Sequence, residues 1–298
     1  MKALAGIGEN KLEKKIKFEK TTFNRYTIYT LEGPALSITG FSTLIDRFCS
    51  APPLEKKGRG GVKLLDINGR YIACRKYIHG GLLRVITKDI FFSIKRATEE
   101  LKILLYLKEK EFPVVQPYGL IIKDNFVTKS LYILTVFEEN STDLSEVFCT
   151  STRKQRFRII KIFAQLMRHM ETLGIYHPDL HLNNVLVTAE GTMKFLDFDR
   201  AHRKSITKKD MQRMFWRLNR YAEKMEKQGK LKVSIKERML FLRIYRRLSG
   251  FDMAEAMKNK VNQKGFLSRV GWFFESLFYG NQGATNSKFE IRNSKLQK

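Results

Sequence analysis

The stretch from Arg156 to Arg200 constrains this chain more than any other. Phe157, Ile160, Phe163, Ala164, Met167 and Met170 recur at helical spacing, so residues 156–173 are expected to form an amphipathic helix. Gly174 stands where a left-handed cap would close it. A loop follows, Tyr176-His177-Pro178-Asp179-Leu180-His181-Leu182-Asn183-Asn184, then two short strand candidates at 185–187 and 193–196, joined by a turn ending in Gly191. The second strand delivers Asp197-Phe198-Asp199-Arg200. A hairpin between Asn184 and Asp197 returns the chain on itself, so both side-chain oxygens can face one cation.

The N-terminal side becomes informative at Lys57-Gly58-Arg59-Gly60-Gly61-Val62. Gly58, Gly60 and Gly61 lack the Cβ that keeps backbone N–H groups away from phosphates. Strand-like runs at 62–67 and 70–77 flank Asn68-Gly69, a strong hairpin signal because both turn positions favour positive φ. The second run contains Ile72-Ala73-Cys74-Arg75, with Lys76 next. Strand alternation favours Arg75 as the inward cation, and a bulge would bring in Lys76 instead. Residues 94–110 read as a helix, in which Glu100 shares an apolar stripe with Ala97, Ile103, Leu104 and Leu107. A carboxylate there is costly unless paired, which points to the strand cation; the alternative is a solvated Glu99 or Glu100. Further strands are expected at 118–122 and 131–137, and Glu138-Glu139-Asn140-Ser141 breaks the pattern.

Phosphoryl transfer asks a protein for metal-held phosphates, an oriented hydroxyl and fixed positive charge. His177-x-Asp179-Leu180-x-x-x-Asn184 matches the kinase catalytic-loop pattern, with Asp179 as the residue that orients the acceptor and Asn184 as a magnesium ligand. Asp197 stands where the second metal carboxylate is expected, and magnesium suits such hard oxygen donors. Either aspartate alone would pass for a cap or turn residue; the ordered series carries the chemistry. A Walker-type Gly-x-x-x-x-Gly-Lys-Ser/Thr is absent. His177 is expected to be a structural residue bonded to nearby backbone, and His181 to be either solvent-facing or functional.

Charge and cysteine content narrow the setting. The formal net charge of +26 predicts attraction to something polyanionic. Cys49, Cys74 and Cys149 are widely spaced, which argues against a disulfide framework or zinc site. No signal-peptide core and no uninterrupted apolar run of roughly 18 residues is present. A cytoplasmic protein is expected, with surface attachment permitted.

The separated motifs resemble the lipopolysaccharide kinases, and within them the 3-deoxy-D-manno-octulosonic acid (Kdo) kinases. Gly58-Arg59-Gly60 is similar to that family's Gly-Arg-Gly loop, and Arg75-Lys76-Tyr77 with Gly80-Gly81-Leu82 to its Arg-x-Tyr-x-x-Gly-Gly-Leu segment. The helix around Thr98 to Leu105, the segment Tyr176 to Asn184 and Asp197-Phe198-Asp199-Arg200 complete the likeness, which spans about residues 58–200. The chain departs from the family at Ile78-His79 and at Pro178.

The resemblance implies an α+β, two-lobed protein-kinase-like fold. The β-rich N-lobe would be 1–139, the mainly helical C-lobe 140–282 and the tail 283–298. It implies ATP and Mg2+ as cofactors, Asp179 as catalytic residue, and a Kdo sugar on lipid A as acceptor, at the cytoplasmic face of the inner membrane. An anionic membrane surface fits the basic, helical stretch expected at 208–264, since each nearby Lys or Arg adds about 1 kcal/mol of attraction. Phe266, Leu267, Trp272, Phe273 and Phe274 lie beside Lys264 and Arg269, and would pack on the C-lobe or lie in an interface. The same loop pattern resembles kinases of small amino-sugars, core heptose or proteins, so the acceptor stays open between these. A non-catalytic nucleic-acid module is the remote alternative, and no nucleic-acid partner is expected.

Overall fold

The computed structural model describes residues 19–31, 38–54, 62–67, 69–78 and 90–253. Residues 1–249 cluster as one compact unit and 250–298 as another. Gly58, Gly60, Gly61, the Gly80-Gly81-Leu82 segment and the 265–280 aromatic segment lie outside the described residues.

The fold is α+β, with a sheet-rich N-terminal part and helices after it. The strands are β1 (Glu19–Phe23), β2 (Tyr26–Thr30), β3 (Pro53–Leu54), β4 (Val62–Ile67), β5 (Arg70–Lys76), β6 (Pro117–Asn125) and β7 (Thr128–Val136). They form one antiparallel sheet in the order β1-β2-β6-β7-β5-β4-β3. Helix α1 (Ile38–Ser50) covers one face, burying Leu44, Ile45 and Phe48 against Ile28, Leu65, Ile72, Cys74, Ile121 and Leu134. Each such side chain contributes about 1.5–3 kcal/mol. Helix α2 (Lys95–Glu109) packs on β6 and β7. With both faces covered, β6 and β7 bury consecutive residues, which explains their continuous apolar runs. Lys63 Nζ donates to the Phe48 carbonyl at 2.8 Å, fastening β4 to the end of α1.

β2 is built wholly of strand formers, Tyr26 to Thr30, whereas β1 and α1 are only weakly announced by the sequence. β1 has four polar residues among its five and little buried surface, and α1 carries Gly40 with several Ser and Thr residues, poor helix formers. Their apolar residues find a use only once the central strands offer a face.

After β8 (Thr142–Asp143) and α3 (Leu144–Thr150) comes α4 (Arg153–Thr172). It starts three residues before the expected Arg156, because Thr152 and Gln155 form a capping box. Gly174 closes it at φ 71°, where a Cβ would lie 2.7 Å from the Lys204 carbonyl oxygen. The chain then runs through β9 (Ile175–Tyr176), a 3-10 turn (Leu182–Asn184), β10 (Val185–Val187), β11 (Met193–Phe195) and β12 (His202–Arg203). Last come α5 (Lys208–Lys227) and α6 (Ile235–Ser249), so the expected 208–264 stretch is two helices broken at 228–234, its end lying outside the described residues. α4 and α6 pack together, and Tyr245 on α6 donates to buried Glu171 on α4 at 2.5 Å.

Candidate active site

Two small pairings fix the loop. β9 pairs with β12, His202 opposite Tyr176, and β10 pairs with β11, Val185 opposite Phe195. The loop from His177 to Asn184 and the segment from Leu196 to Ala201 are therefore held side by side. Asn184, 5% exposed, ties them directly. Its Nδ2 donates to the Asp179 carbonyl at 3.2 Å, and its own carbonyl accepts from the Leu196 N–H at 3.0 Å, one residue before Asp197. Since Nδ2 is used on Asp179, Oδ1 is the remaining acceptor of that side chain. Asp197 is left-handed at φ 60°, a backbone state few non-glycine residues adopt.

The sheet supplies the cation. Arg75 Nη2 donates to both Glu100 carboxylate oxygens, at 2.7 and 2.8 Å, and lies 3.3 Å from Asp197 Oδ1. Lys76 points to the opposite face of β5, toward the Tyr132 ring. The structure therefore gathers Arg75, Glu100 and Asp197 and leaves Lys76 away from them. Tyr77, fully buried, donates to Glu100 at 2.5 Å, and the Arg75 guanidinium lies over its ring. Burial pushes Glu100 up to about 7, against the pull of Arg75 and the Tyr77 hydroxyl. Burial also works against the Arg75 charge, but Glu100 and Asp197 outweigh it and hold that guanidinium above its ordinary value. A two-oxygen contact to a guanidinium is the geometry of an ionised carboxylate, so the pair is charged.

Three contacts have no signal in the sequence. Arg96 on α2 donates to Asp199, with Nε 2.7 Å from Oδ1, so the second aspartate of the Asp-Phe-Asp triplet is anchored to the helix that carries Glu100. Arg217 on α5 reaches Asp179 Oδ1 at 2.7 Å. The His181 ring stacks on Tyr221 of α5 at 4.1 Å, so its ring is packed against that helix rather than simply solvent-facing. His177 is fully buried against the Phe198 ring at 5.0 Å, and its interaction with the Leu196 backbone falls short of hydrogen-bond geometry. The expected backbone bond is thus replaced by ring packing. Burial lowers both histidines to about 4, so each is neutral at physiological pH.

The profile of the lipopolysaccharide kinase (Kdo/WaaP) family matches residues 52–245. The chain belongs to that family. A 3-deoxy-D-manno-octulosonic acid kinase of Xanthomonas oryzae pv. oryzae (strain PXO99A) is 25% identical over 155 residues, 51% of this chain and 61% of that protein. One of Vibrio vulnificus (strain YJ016) is 25% identical over 150 residues, 49% of this chain and 62% of that protein. These matches span less than two thirds of the relatives' own length.

The donor chemistry of this lipopolysaccharide kinase family member fits a magnesium nucleotide. Asn184 Oδ1 and the Asp197 carboxylate are hard oxygen donors, and magnesium commonly takes one or two protein ligands together with phosphate oxygens. Among the described residues no group of three or more His, Cys, Asp or Glu could hold a metal. Among them, too, no helix is long and apolar enough to cross a membrane, and all three cysteines are free.

Proposed function

We propose that this protein is an ATP- and magnesium-dependent kinase that phosphorylates a hydroxyl of the Kdo sugar on lipid A. The supporting observation is the double tie of Asn184, to the Asp179 carbonyl and to the residue before Asp197, with Arg75 lying between Asp197 and Glu100. Asp179 orients the acceptor hydroxyl and takes up its proton as the oxygen attacks. Asn184 and Asp197 hold magnesium, and Arg75, oriented by Glu100 and Tyr77, steadies the phosphates. Gly58, Gly60 and Gly61, having no Cβ, let backbone N–H groups approach them. Bound magnesium neutralises the charge developing on the transferred group.

In this reading residues 1–139 act as the nucleotide-side lobe and 140–282 as the acceptor-side lobe. The net charge of +26 favours residence at an anionic membrane surface, the cytoplasmic face of the inner membrane. The test is purified protein with ATP, magnesium and Kdo-lipid A, read by mass spectrometry. The expected product is heavier by one phosphate, and Asp179→Asn abolishes it while ATP still binds. Faster turnover with core heptose, a soluble amino-sugar or a protein acceptor would reassign the substrate, and transfer that survives Asp179→Asn would refute the mechanism.

A further inference from the structure

The cationic face of α5 is not explained by catalysis. Lys209, Arg213, Arg217, Arg220, Lys224 and Lys227 are all exposed and follow one another at intervals of four, four, three, four and three. At about 100° per residue they fall within about 40° of one line along the helix. From Arg213 to Lys224 that line runs about 16 Å. Met211, Met214, Phe215, Ala222 and Met225 occupy the buried side. Buried Asp210 is engaged by Lys204 and Thr207 and lies 3.8 Å from Arg213, and Glu223, beside the line, accepts from Asn219. Helix α5 also lies across the catalytic loop, through His181 on Tyr221 and Arg217 on Asp179.

We infer that α5 is the recognition surface for an acceptor bearing several anionic groups, and that Arg217 takes the acceptor's carboxylate beside the reacting hydroxyl. This rests on the acidic-sugar reading above. The Arg217–Asp179 pair is well exposed at both ends, 44% and 40%, and such pairs are held weakly, so an incoming carboxylate can displace Asp179 from it. The planar guanidinium suits a carboxylate through two parallel bonds. Displacement leaves Asp179 available for the hydroxyl just as the acceptor arrives, and links acceptor recognition to assembly of the site. Arg220 and Lys224, farther along the same line, take phosphates of the same glycolipid.

Two arms test this with the full chain. In the first, binding to phosphatidylcholine vesicles carrying Kdo-lipid A is measured across a salt series for the parent and for the double variant Arg220→Gln, Lys224→Gln. At about fivefold per cation, the variant should bind about 25-fold more weakly and with a shallower salt dependence. On vesicles whose lipid A phosphates have been removed, the two proteins should bind alike. Equal binding to the phosphorylated vesicles, or tighter binding of duplex DNA than of those vesicles, overturns the assignment of the surface.

In the second arm, Arg217→Gln should raise the KM for Kdo-lipid A by roughly tenfold or more with the KM for ATP unchanged, and Arg217→Lys should recover part of the loss. Methyl esterification of the Kdo carboxylate should cost the parent the same factor and Arg217→Gln almost nothing further. An equal penalty in both proteins refutes the Arg217 assignment. If the parent transfers no phosphate to Kdo-lipid A, the acceptor reading fails, while the vesicle arm still decides whether α5 binds anionic lipid.

Discussion

His177 offers a test of how the loop is held that needs no substrate. The ring is fully buried, packs on Phe198, and meets no partner at hydrogen-bond geometry, so protonating it places a charge in an apolar site. Burial lowers it to about 4 from 6.5, with Asp197 and Asp179 opposing the shift. A histidine depressed in the folded state is protonated first in the unfolded chain, so its contribution is complete above pH 6.5 and is lost as the pH falls toward 4. At 1.36 kcal/mol per unit, the full loss is about 3 kcal/mol, of which about 2 kcal/mol has gone by pH 5.0. Urea unfolding at pH 7.5 and 5.0, for the parent and for His177→Phe, measures it. The parent should lose about 2 kcal/mol more than the variant over that interval. Equal losses in the two proteins would show that His177 does not carry the acid sensitivity, and the burial argument would be wrong.

Other outcomes follow from the same geometry. Gly174→Ala should cost about 2 kcal/mol or more in thermal or urea unfolding, since it combines a left-handed φ with a Cβ 2.7 Å from the Lys204 carbonyl oxygen. Tyr77→Phe should destabilise by about 1–3 kcal/mol, because buried Glu100 loses a donor at 2.5 Å; calorimetry checks it. Arg75→Gln should weaken nucleotide binding by roughly tenfold or more, while Lys76→Gln, on the other face of β5, should change it less than about twofold; titration with a fluorescent ATP analogue separates them. Arg96→Gln should loosen Asp199, read as faster amide exchange across residues 197–201 with the N-terminal sheet unchanged.

The part of this protein written in its sequence is the part built from neighbours. The amphipathic spacing of α4, the left-handed Gly174, the pattern of His177, Asp179 and Asn184, and the short hairpin before Asp197 are all local. Local rules of periodicity, capping and turn geometry therefore reached them within a few residues, and alternation along β5 already favoured Arg75 over Lys76. The Thr152 and Gln155 capping box was equally local and would have set the start of α4. Tertiary structure decided the rest. Arg96 meets Asp199 across 103 positions and Arg217 meets Asp179 across 38, and no spacing rule links residues that only the packing of α2 and α5 brings together. The same holds for α1 and β1, whose weak intrinsic preferences are overridden by packing against the apolar face of the sheet. Charge followed the same division: the three- and four-residue spacing of the basic residues in α5 already put six of them on one helix face, and only tertiary packing brought one of them, Arg217, onto Asp179 of the catalytic loop.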